Sequence, residues 1–128
     1  MKFEHYAINV EDSVAVADWY VANCGMTIEV AQRVPPFMRF LSDSTGRVVV
    51  ELYTNPAAPI PDYASRNHLE YHLAFAVEEL DAEHDRLKAA GCSFIEEVKP
   101  GDGSRLVMLR DPFGMALQLC QRAKPFRI

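Results

Sequence analysis

Four stretches of the chain, at 2–10, 47–54, 69–77 and 115–121, carry bulky apolar residues at every second position and read as strands. Successive side chains of a strand point to opposite faces, so parity separates the two faces of each. Tyr6, Ile8 and Val10 oppose His5, Ala7 and Asn9, while Val48, Val50 and Leu52 oppose Val49, Glu51 and Tyr53. Leu73, Phe75 and Val77 oppose His72, Ala74 and Ala76, while Met115, Leu117 and Leu119 oppose Ala116, Gln118 and Cys120. One face is bulky and apolar each time, as packing against a helix requires. The other mixes small residues with a metal-capable side chain. A helix is predicted over 13–24, opened by the caps Asp12 and Ser13 and stopped by Gly25. A second is predicted over 80–90, where Leu80, His84 and Leu87 fall at i, i+4 and i+7 before Gly91. Further strands are expected near 27–33, 37–43, 93–98 and 104–110, with tight turns at 42–46 and 111–114.

The two halves repeat. FEHYAINVED at 3–12 and EYHLAFAVEE at 70–79 share His5/His72, Ala7/Ala74, Val10/Val77 and Glu11/Glu78 at an offset of 67 residues. The same offset carries VVVELYT at 48–54 onto MALQLCQ at 115–121 and places Glu51 on Gln118. One shift that superposes both ends of two half-chains is much harder to obtain by chance than either match alone. The expected plan is one domain over 1–128 of class α+β: a βαβββ module at 1–54, a proline-bearing connector at 55–67, and a second βαβββ module at 68–128.

Composition narrows the function classes. The chain of 128 residues is 49% hydrophobic and 24% charged, the balance of a soluble globular protein. Its net charge of −5 argues against nucleic acid or an anionic membrane as partner. No signal-peptide pattern opens the sequence, and no apolar run approaches the ~20 residues that span a bilayer. Cys24, Cys92 and Cys120 are an odd number without close spacing, which points to reduced core thiols in a cytoplasmic chain. Nucleotide-binding and nucleophile-elbow motifs are absent.

Glu51 carries the chemical argument. It sits in Val-Val-Val-Glu-Leu-Tyr, a run expected to be largely buried, where an unpaired carboxylate would cost several kcal/mol. A single strand histidine is more often a hydrogen-bonded core residue than a ligand, and a single buried Glu is more often paired with an arginine, here Arg39, Arg47 or Arg110. Two repeat-related histidines and a repeat-related Glu/Gln pair facing the same way favour a divalent cation held by His5, Glu51, His72 and Gln118. Two imidazoles, a carboxylate and an amide oxygen suit Zn, Ni, Fe, Mn or Co. His68 and His84 are expected to play no catalytic part.

These residues resemble the vicinal oxygen chelate superfamily, which includes glyoxalase I, fosfomycin- and bleomycin-resistance proteins, methylmalonyl-CoA epimerase and extradiol dioxygenases. The resemblance is carried by Glu4-His5-Tyr6-Ala7-Ile8-Asn9-Val10, by Val50-Glu51-Leu52-Tyr53, by His72-Leu73-Ala74-Phe75, by Leu87 through Gly91, and by Leu109 through Gly114 before Gln118-Leu119. It implies an open, cupped mixed sheet with helices on the convex face, one divalent metal bound by a residue from the first and last strand of each module, and a homodimer. The chain departs from glyoxalase I at Gln118, where that enzyme typically has a glutamate that binds metal and shuttles a proton. A glutamine offers its carbonyl oxygen to a metal but is no base at neutral pH. Glu51 is then the candidate catalytic base, with Tyr53, Phe40 and Asn9 as candidate substrate-binding residues.

The expected activity is a metal-dependent, glyoxalase-like lyase or isomerase acting on a small molecule that chelates the metal through adjacent oxygens. An extradiol-type Fe(II) dioxygenase is the first alternative, although such enzymes usually take their carboxylate from the last strand. A metal-free binding protein of the bleomycin-resistance kind is the second, with Tyr53, Tyr63, Phe37 and Phe40 as an aromatic groove.

Overall fold

The computed structural model describes residues 1–127, so Ile128, the last residue of the second expected module, lies outside the described residues. The chain divides into two compact units at Pro61/Asp62, inside the proline-bearing connector. The first contains β1 (Tyr6–Asn9), α1 (Ser13–Cys24), β2 (Thr27–Ala31), β3 (Arg39–Ser42) and β4 (Val48–Tyr53). The second begins with a single 3₁₀ turn (Tyr63–Ser65). It continues with β5 (Leu73–Ala76), α2 (Leu80–Ala89), β6 (Ser93–Val98), β7 (Arg105–Arg110) and β8 (Ala116–Gln121). Each unit is thus βαβββ, and the α+β two-module plan is present.

Each module forms one four-stranded mixed sheet, ordered β1-β4-β3-β2 in the first and β5-β8-β7-β6 in the second. First and last strands pair in parallel, with Ala7 opposite Glu51 and Ala74 opposite Gln118. The crossover helix covers one face. In the first unit α1 packs on β2, β3 and β4; in the second α2 packs on β7 and β8. The core under α1 includes Val16, Tyr20, Leu41, Val50 and Leu52, and that under α2 includes Leu80, Leu87, Leu109, Leu117 and Leu119, all at most 5% exposed. The repeat extends to an irregularity: the β2–β3 register shifts between Ile28 and Val30, and the β6–β7 register between Phe94 and Glu96. Such a bulge bends the strand and re-aims the side chains beside it.

Local chemistry sets the ends of α1. The Asp12 carboxylate accepts from the Val14 and Ala15 amides at 3.0 and 2.9 Å, and Gly25 closes the helix in the left-handed region at φ 65°. Replacing Asp12 by alanine orphans both amides, and urea unfolding is expected to show a loss of about 1 kcal/mol. A loss indistinguishable from zero would mean that water caps the helix equally well.

Two expectations are corrected. The strands expected over 2–10 and 69–77 contract to Tyr6–Asn9 and Leu73–Ala76, so His5 and His72 each stand one residue before a ladder rather than within it. Tyr6, expected on the core face, is 56% exposed, because β1 is an edge strand beyond the principal contacts of α1. Ile8 and Val10 on the same parity are buried as expected. The three cysteines are free thiols; burial pushes the Cys92 thiol up to about 11 and raises that of Cys120 as well. Among the described residues, no helix is long and apolar enough to cross a membrane.

Candidate functional site

Residues directly opposite one another in a ladder share a face, so the registers define one line of side chains across each sheet. In the first unit the line runs Ala7–Glu51–Phe40–Val30, and in the second Ala74–Gln118–Met108–Glu96. Both lie on the face opposite the helix. Ala7 and Ala74, small and exposed, leave open space beside Glu51 and Gln118.

The first module brings three of the predicted residues together. His5 Nε2 lies 3.2 Å from Glu51 Oε2, with side chains 25% and 16% exposed, and the Phe40 ring meets the imidazole edge-on at 5.1 Å. His5 Nδ1 is 3.0 Å from a Glu4 carboxylate oxygen, yet is buried without a hydrogen-bond partner. The Glu4 contact is therefore a proximity of charge that sequence reading did not foresee. Tyr53 is half-buried two positions along β4 on the Glu51 face, opposite Asn9. The Asn9 amide is committed to the chain itself: it accepts from the Asn55 amide at 2.8 Å and donates to the Asn55 and Ala58 carbonyls at 3.0 and 3.2 Å. It fastens the start of the connector.

None of the three arginines that compete for Glu51 makes an ion pair with it. Arg39, on the buried face, donates to the Gln32, Phe37 and Met38 carbonyls. Arg47 lies over the Phe3 ring with its carbon 5.6 Å from the centroid and donates to the Phe3 carbonyl. Arg110 donates to the Tyr63, Gly114 and Arg66 carbonyls at 2.8, 2.7 and 3.0 Å. The carboxylate is left to His5.

In the second module His72 is exposed, and its Nδ1 lies 3.2 Å from the His68 carbonyl oxygen. A carbonyl only accepts, so Nδ1 carries the proton and, in the neutral ring, Nε2 keeps its lone pair. Gln118 is half-buried, and its Oε1 accepts from the Cys120 thiol at 3.1 Å. An amide oxygen has a second lone pair to offer. His68 is drawn into this neighbourhood: its Nε2 lies 2.6 Å from Glu96 Oε1. Tyr71, whose phenol is raised by burial, donates to the Tyr63 carbonyl at 3.4 Å. The pair Glu96-Glu97 in a strand signals that one carboxylate takes each face, but not which one.

The donor spacing in the first module is compatible with a shared divalent cation. Two ligands at ~2.1 Å from one ion stand about 3.0–3.4 Å apart, which brackets the His5–Glu51 separation of 3.2 Å. His72 presents the ring nitrogen that metals use while a carbonyl holds the other. Among the described residues, however, no three His, Cys, Asp or Glu side chains are grouped as an ion site.

Solved proteins share this fold. A glyoxalase family protein from Bacillus cereus is 18% identical over 94% of this chain and 93% of its own, with a TM-score of 0.75. TnmS3, an antibiotic binding protein from Streptomyces sp. CB03234, is 20% identical over 96% and 97%, with a TM-score of 0.71. A glyoxalase family protein from Enterococcus faecalis is 23% identical over 94% and 97%, with a TM-score of 0.68. No curated protein matches the chain significantly. The family model of the Glyoxalase/Bleomycin resistance protein/Dioxygenase superfamily matches residues 2–119, nearly the whole sequence, and the chain belongs to that superfamily.

Proposed function

We propose that this chain is a metal-dependent enzyme of the glyoxalase type, a lyase or isomerase of a small oxygenated substrate, with His5, Glu51, His72 and Gln118 holding one divalent cation. The observation that carries the reading is the state of Glu51: a carboxylate 16% exposed whose ion-pair partner is an imidazole 3.2 Å away rather than an arginine. That separation is the one two ligands of a shared cation would take. When bound, the cation supplies Lewis-acid polarisation of adjacent substrate oxygens. Glu51 takes the substrate proton at a carboxylate oxygen, since Gln118 has no basic atom, and the Phe40 ring and Tyr53 flank the substrate's apolar body. A homodimer and a cytoplasmic location belong to the same proposal.

Elemental analysis of protein purified without added metal tests this reading. About one transition-metal ion per chain, lost in His72→Ala, is the expected result; iron rather than zinc or nickel would direct the proposal to dioxygenase chemistry. Metal-free protein that also fails to take up Zn²⁺, Ni²⁺ or Fe²⁺ would overturn it. The reading left would be a metal-free small-molecule binding protein, which the likeness to an antibiotic binding protein and the aromatic Phe40 beside His5 support.

A further inference from the structure

The His68–Glu96 pair has no counterpart in the first module. At the matching bulge of β2 the residue is Val30, whereas the bulge of β6 presents Glu96 on the Gln118 face. Glu96 is 43% exposed at its side chain, yet it holds the 16% exposed ring of His68 at 2.6 Å. The chain between His68 and His72 is folded by local bonds. Asn67 Oδ1 accepts from the Leu69 amide at 2.8 Å, and the Asn67 carbonyl accepts from the Glu70 amide at 3.0 Å. This turn carries the His68 carbonyl onto His72 Nδ1 at 3.2 Å. Two features so joined are a fastened turn and a chosen tautomer.

We propose that His68 and Glu96 are positioning residues for His72. By pinning the 67–70 turn to β6 they keep the His68 carbonyl on Nδ1, and thereby hold His72 in the form whose Nε2 is free to face a ligand. A neutral imidazole left to water favours the opposite form, with the proton on Nε2, so the carbonyl must be held in place for the choice to persist. Exposed imidazoles reorient readily; one whose carbonyl partner is anchored through a separate side-chain pair does not. Neither His68 nor Glu96 need touch the substrate for this. The inference rests on the reading of His72 as a ligand-facing residue.

Imidazole ¹⁵N NMR of the full chain at a pH where His72 is neutral tests the positioning separately from that reading. The wild-type protein is expected to show His72 protonated on Nδ1. In Glu96→Ala the signal shifts to an excess of the Nε2-protonated form, and in Glu96→Gln, which still accepts a hydrogen bond from His68, it stays near wild type. Affinity for Zn²⁺ alone falls on the order of tenfold in Glu96→Ala and is largely restored in Glu96→Gln. A wild-type His72 protonated on Nε2, or a tautomer unmoved by Glu96→Ala, overturns the proposal. A tautomer that shifts while Zn²⁺ affinity stays constant leaves the positioning intact and removes His72 from the metal site instead.

Discussion

Glu51→Gln is expected to lower Zn²⁺ affinity, and with it any metal-dependent turnover, by roughly 10²–10⁴-fold. The range corresponds to about 3–5 kcal/mol for removing one member of a part-buried charged set. Shape is conserved and the charge is lost, so packing does not enter. The fold itself should hardly respond, because the amide has the shape of the carboxylate and keeps an oxygen beside His5 Nε2. Isothermal titration with Zn²⁺ and a thermal melt of the metal-free protein read the two quantities separately. Unchanged affinity would take Glu51 out of the site, and a melt lowered as much as the binding would make its role structural.

The position of Glu51 was legible because a carboxylate inside an apolar strand contradicts its surroundings, and because the repeat offset tied it to Gln118. Periodicity also placed α1 at its observed limits, Ser13–Cys24, since Asp12 and Gly25 act within a few residues of the helix they bound. The same signal overran β1 and β5. Alternation reports which face a side chain takes, not whether a neighbouring strand supplies hydrogen bonds. Residues 69–72 alternate yet follow a turn organised by Asn67. His68 was set aside for a related reason: its partner Glu96 is 28 residues away, and which face that side chain takes is decided by a bulge that no local pattern announces. The rivalry of Arg39, Arg47 and Arg110 for Glu51 was equally beyond the sequence. It is resolved by backbone carbonyls in loops, which every sequence contains.

Gly114→Ala is expected to be the most damaging small substitution in the second unit. Gly114 has φ 87°, and a Cβ there would stand 2.9 Å from both the backbone nitrogen and the Cβ of Ala64. The left-handed conformation alone costs a non-glycine residue roughly 1–2 kcal/mol, and forcing a methyl group against backbone adds about 1–3 kcal/mol. The turn has little room to give. The buried Asp111 carboxylate accepts from the Phe113 and Met115 amides at 2.9 and 2.8 Å, while Arg110 ties the Gly114 carbonyl to those of Tyr63 and Arg66. A loss near 3 kcal/mol corresponds to a Tm lower by on the order of 10 °C in a chain of this size. Gly101→Ala is the matched control: φ is 93° there, but nothing lies within 4 Å of the added carbon. Calorimetry should rank Gly114→Ala well below Gly101→Ala in Tm. Equal losses would mean that the 63–66 turn yields without cost.

The segment between β2 and β3 is clamped from two directions. The Phe37 carbonyl accepts from Ser13 Oγ at 2.7 Å and from Arg39 Nη1 at 3.2 Å, so one oxygen joins the first turn of α1 to the beginning of β3. Swinging this segment outward would strip a fully buried serine and a buried guanidinium of their acceptor together. It is consequently a wall rather than a door. Loosening residues 32–38 would therefore loosen the start of α1 and of β3 with them.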